Sequence, residues 1–78
     1  MLSSEEYNEL LPYMAEIKQF PNTGKFKGEG MFVIDRIRQH HGCRPICFAC
    51  DGDKIEAMKD IYIYVTLYEE SVLNLRNG

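Results

Sequence analysis

From Asp53 to Arg76 the chain runs 24 residues without a glycine or proline, and within that run Met58, Ile61, Val65, Tyr68, Val72 and Leu75 recur at intervals of 3, 4, 3, 4 and 3. Those intervals place the six side chains along one stripe of an α-helix. At 1.5 Å per residue such a helix is about 36 Å long. A compact domain of 78 residues has a radius of gyration of only about 12 Å, which makes a globule about 30 Å across. The helix is therefore expected to overhang its own domain, and the apolar residues of an overhanging end need cover from another chain.

Local propensity opposes this reading between residues 61 and 68. Ile61-Tyr62-Ile63-Tyr64-Val65-Thr66-Leu67-Tyr68 is rich in β-branched and aromatic residues in alternation, the composition of a strand. Helix is preferred because Lys54 to Lys59 leads in, Glu69 to Leu75 leads out, and no breaker separates the three parts. An α+β fold with a strand at 61–68 is the alternative. As a helix the stretch is apolar nearly all round, with Ile61, Val65 and Tyr68 on one side and Ile63, Tyr64 and Leu67 on the other.

The chain's length sets the next bound. A domain this small buries only about 60–65% of the surface its unfolded chain exposes, so its core is marginal without a staple, a metal or a partner. It is expected to be one helical domain, residues 1–78, with little room for an enzyme. Hydrophobic residues make up 45% and charged residues 27%, ordinary proportions for a folded protein. The first residues, MLSSEEYNELL, have neither the basic nor the apolar region of a secretory leader, and no stretch approaches 18 apolar residues. The expectation is a cytoplasmic protein that does not enter a membrane. Three cysteines, an odd number, argue for reduced thiols over a disulfide framework.

Charge divides along the chain. Glu5, Glu6, Glu9 and Glu16 make residues 1–17 acidic, whereas Lys18, Lys25, Lys27, Arg36, Arg38 and Arg44 outnumber Glu29 and Asp35 over 18–44; the remainder is acidic again, and the total is −3. A basic middle can meet a nucleic acid, but opposite segments of one small fold also attract each other, and overall acidity opposes binding to a polyanion.

Ser3 and Glu6 have the spacing of a capping box that opens a first helix over 3–20, with Tyr7, Leu10, Leu11, Met14 and Ile17 on one face. Pro12 either kinks this helix or restarts it from its first turn, where a missing N–H costs nothing. Phe20-Pro21-Asn22-Thr23-Gly24 is expected to end it. The glycine-rich run from Gly24 to Gly30 lacks the order of a phosphate-binding loop and reads as a connector. A second helix is expected over 29–41, with Val33, Ile34, Ile37 and His41 at helical spacing and Gly42 as its left-handed stop. If it met nucleic acid, Arg36, Arg38, Gln39 and His40 would face the groove. Arg36 and Arg38 lie about 200° apart on a helix, so one is expected to pair with an acidic helix, and truncating either is expected to cost little.

Cys43, Cys47 and Cys50 carry the one chemically suggestive spacing. Cys-x-x-x-Cys-x-x-Cys matches the three-thiolate ligation of an iron–sulfur cluster in radical enzymes, which need a barrel several times this size. A zinc ion held by Cys43, Cys47, Cys50 and His41 is a rival reading, although four ligands within so short a segment demand a tight loop. The preferred expectation is no cofactor: Cys47 and Cys50 are buried small hydrophobes in a short element before the last helix, so that Cys47→Ser would cost about 1–3 kcal/mol. A catalytic cysteine–histidine pair finds no support in sequence proximity. Asp51-Gly52-Asp53 lacks the later ligands of a calcium loop and reads as a turn and helix cap.

The expected protein is all-α, with helices over 3–20, 29–41 and 53–76. It is expected to act without catalysis, by self-assembly or by docking on a partner protein through Ile63, Tyr64, Leu67, Tyr68, Val72 and Leu75. A unit of this size suits a phage or mobile-element accessory protein, in the host cytoplasm or in a virion.

Overall fold

The chain enters its first helix at Ser3, whose hydroxyl accepts from the Glu6 N–H at 3.1 Å while the Glu6 carboxylate accepts from the Ser3 N–H at 2.9 Å. This reciprocal cap satisfies two of the amide donors that a helix start leaves free. The computed structural model describes the backbone of residues 2–77 and the side chains of residues 2–72. Helix α1 spans Ser4–Leu10, a 3₁₀ turn with Pro12 near its start spans Leu11–Tyr13, and α2 spans Met14–Thr23. Pro12 therefore restarts the helix, and α1, the turn and α2 form one N-terminal arm. Helix α3 covers Met31–His40 and α4 covers Asp51–Asn77; no strand occurs among the described residues. The all-α expectation is met, and the alternative strand at 61–68 is instead the middle of α4. Thr66 shows how a β-branched residue is accommodated there, its hydroxyl donating to the Tyr62 carbonyl at 2.9 Å one turn earlier.

The arm does not stop at Phe20. Pro21 lies inside α2, and the helix runs on to Gly24, which takes φ 65° and whose N–H bonds to the Phe20 carbonyl at 2.7 Å. The stop needs the left-handed conformation that glycine adopts without strain, and the proline only removes one donor. Helix α3 ends as its sequence implies. Gly42 sits at φ 87°, its N–H reaches Gln39 O at 3.1 Å, and the Cys43 N–H reaches Arg38 O at 2.9 Å, the paired bonds of a Schellman stop.

One core holds the three helical parts together. Leu10, Ile17, Phe20, Met31, Ile34, Ile37, Ala57, Met58, Ile61 and Val65 are buried in it, with Leu2 and Ile46 closing its ends. Leu11, expected on this face, is instead half in water; the 3₁₀ turn changes the angular step at that point and carries the side chain outward. Packing pairs α4 with both α2 and α3, and α1 with α3. The longest dimension is 44 Å against 27 and 17 Å for the others, and α4, about 40 Å long at 1.5 Å per residue, accounts for it.

Between α3 and α4 the chain is irregular, so the short cysteine-bearing element is a turn and not a helix. Two carboxylates hold it. Asp35 of α3 accepts from the Ile46 N–H at 2.8 Å, and Asp53 of α4 accepts from the Cys47 N–H at 3.0 Å. Ile46 is thereby pressed into the core while the residues after it are left outside.

Candidate functional site

Half of the basic middle is taken up by the fold's own charge pairing: Lys18, Arg36 and Arg38 meet carboxylates, while Lys25, Lys27 and Arg44 stay exposed. Arg36 pairs with Glu9 of α1, and Arg38 with Asp60 of α4 at 3.1 Å. Gln39 donates to Asp35 at 3.0 Å. Of the four residues expected at a nucleic-acid groove, His40 alone is exposed and makes no side-chain hydrogen bond among the described residues. Both arginines pair with acidic helices, where one was expected to. Arg38 is moreover buried, at 9% exposure, and its Nε has no hydrogen-bond partner among the described atoms; truncating it cannot be as harmless as the sequence suggested. The glycine-rich connector is similarly occupied: the N–H groups of Lys27 and Gly28 both donate to the Glu16 carboxylate, where an anion would otherwise sit.

Two further carboxylates tie the arm to its neighbours. Glu69 of α4 accepts from the Tyr7 hydroxyl at 2.6 Å and from Lys18 at 2.8 Å. The bond to Glu69 is the main reason the Tyr7 phenol is pushed up to about 12, and Lys18 followed by Tyr7 holds the Glu69 carboxyl below its usual 4.5. Burial works against the Glu6 carboxylate, but the Ser3 N–H and His41, whose Nε2 lies 3.2 Å away, outweigh it and lower that group also. Lowered carboxyl values contribute stability above pH 4.5 that is lost as pH falls through the folded-state values; the raised phenol contributes below pH 10 and is lost as pH climbs toward about 12. Glu69→Gln is expected to flatten the acid limb of a Tm-against-pH curve, by an amount that stays within about 1 kcal/mol for so exposed a cluster. An acid limb unchanged in that variant would contradict the assignment.

The docking residues expected on α4 divide into two sets. Ile63 and Leu67, one turn apart, are 52% and 49% exposed. Tyr64 and Tyr68 are half-buried against the core: Tyr64 lies over His41 with ring centroids 5.3 Å apart, and Tyr68 over Tyr7 at 4.5 Å. Tyr64 thus belongs to the inward side, because α1 and the end of α3 reach that face of α4. Val72 is half-buried, and the side chain of Leu75 lies outside the described residues. Beside Ile63, an open groove of about 570 Å³ runs between α2 and α4, lined by Phe20, Pro21, Gly24, Ile55, Lys59, Tyr62 and Ile63.

A second apolar patch was missed from sequence. Phe32 is 75% exposed, and the Phe48 ring lies over it at a centroid distance of 4.8 Å. Phe32 is off the buried spacing of α3, which marks it as outward, but nothing local says that the cysteine turn brings Phe48 to it. Cys47 and Cys50, expected to be buried, are both exposed, because Ile46 takes the inward place; Cys43 is half-buried. The four zinc candidates do not converge. His41 is turned to Glu6, the Cys43 sulfur to the Tyr64 hydroxyl at 3.7 Å, and Cys47 and Cys50 to each other. No group of three or more His, Cys, Asp or Glu is placed to hold a metal among the described residues.

No described helix is long and apolar enough to cross a membrane. Comparison with protein-family models, with curated proteins and with solved structures finds no match for this chain.

Proposed function

We propose that the chain is a non-enzymatic interaction module that self-assembles or docks on a partner protein through the outer face of α4, the role in which a phage or mobile-element accessory protein would use it. The observation that carries this reading is the pair Ile63 and Leu67, half in water one turn apart, with Ile63 lining an apolar groove on the helix that also supplies much of the core. Covering large apolar side chains that the fold leaves open is favourable by about 25 cal/mol per Å². The charged groups support a binding role over catalysis, since those brought together are spent on holding helices to one another. They also support a protein partner over nucleic acid, because Arg36, Arg38 and Gln39 are engaged.

Sedimentation at high protein concentration, together with recovery of complexes from the native source, tests the proposal. The wild type is expected to exceed the 9.1 kDa of one chain or to return with a partner. Ile63→Asp combined with Leu67→Asp is expected to sediment as a monomer and to return without a partner while keeping its helical circular-dichroism spectrum, because neither side chain belongs to the chain's own core. A wild type that stays monomeric at every concentration and returns alone would overturn the reading.

A further inference from the structure

We propose that Cys47 and Cys50 form a reversible thiol–disulfide couple that is oxidised by low-molecular-weight disulfides such as oxidised glutathione. The two sulfurs lie 2.8 Å apart, with Cys50 donating to Cys47. A disulfide bond is about 2.05 Å long, so closure needs an approach of only about 0.8 Å. The backbone is already arranged for it. The Cys50 N–H bonds to the Cys47 carbonyl at 3.0 Å, a turn that keeps the two Cα atoms within about 7 Å, inside the range that disulfides span. Both thiols are exposed and so open to a soluble oxidant, which sets them apart from inert buried cysteines. The third thiol does not compete: Cys43 is half-buried and directed at Tyr64.

Either exposed sulfur can open the exchange, and from Cys47 the steps are these. Its thiolate, having given its proton to solvent, displaces one thiolate from the small disulfide and forms a mixed disulfide. Cys50, losing its own proton, then attacks the Cys47 sulfur and expels the second thiolate. Two protein thiols and one small disulfide become one protein disulfide and two small thiols, the released thiolates taking up the two protons. The new bond ties together the ends of the turn that carries Phe48, the residue stacked on Phe32.

The experiment equilibrates the full chain in glutathione buffers of graded ratio, quenches by alkylation, and maps the products by intact mass and peptide analysis. The wild type and Cys43→Ser are expected to become two hydrogens lighter, with the bond between residues 47 and 50. Cys47→Ser and Cys50→Ser are expected to lose that product, and Cys50→Ser to accumulate glutathione on Cys47. Folded chain is expected to oxidise in a more reducing buffer than the same chain in urea, because folding holds the sulfurs together. A bond that includes Cys43, a wild type that remains fully reduced, or a midpoint no more reducing when folded than in urea would each overturn the proposal.

Discussion

Ile61→Ala is expected to destabilise the protein by about 2–5 kcal/mol. Ile61 is fully buried on the face of α4 that meets both α2 and α3, with Met58 and Val65 on either side of it along the helix. Removing its outer carbons loses their transfer free energy and leaves a cavity that three helical parts would have to close together. A domain of this length holds only about 4–12 kcal/mol in total, so one such cavity consumes a large share. Ile63→Ala, two residues on and 52% exposed, is expected to stay within about 0.5 kcal/mol. Urea unfolding of the two variants side by side is the check, and a loss below about 1 kcal/mol for Ile61→Ala would contradict the packing described.

Arg38→Ala is expected to cost about 1–3 kcal/mol. Its side chain is 11% exposed and bonds to Asp60 at 3.1 Å, while the Asp60 side chain keeps 34% exposure. Truncation removes a packed aliphatic stem and strands a partly buried carboxylate; the water that still reaches Asp60 keeps the cost below that of breaking a fully buried pair. Because Arg38 Nε is buried without a partner, the charge itself is poorly compensated. Arg38→Met combined with Asp60→Asn is therefore expected to recover most of the loss, since it keeps the stem and removes both charges. The exposed neighbour Arg36, paired with Glu9 at the surface, is expected to change stability by less than about 1 kcal/mol when truncated. If Arg38→Ala matched Arg36→Ala in a thermal melt, the burial of Arg38 would have no energetic consequence and the argument would fail.

What the sequence determined by itself was local: where helices begin, where they stop, and which period they keep. Ser3 with Glu6 capped α1, Gly42 stopped α3, and the unbroken run after Asp53 outweighed the strand-like composition of residues 61–68, while the choice between a kink and a restart at Pro12 was left to the structure. Each of these depends on backbone hydrogen bonds and dihedral preferences within a few residues, which the residue types set directly. Burial depended on something else. Tyr64 turned inward, Cys47 and Cys50 reached the surface, and Arg38 sank beside Asp60, although nothing in their own segments distinguishes them. Only the tertiary structure decided these positions, because the covered side of a helix is chosen by the helices that pack on it, and that choice rests on contacts between residues far apart in the chain.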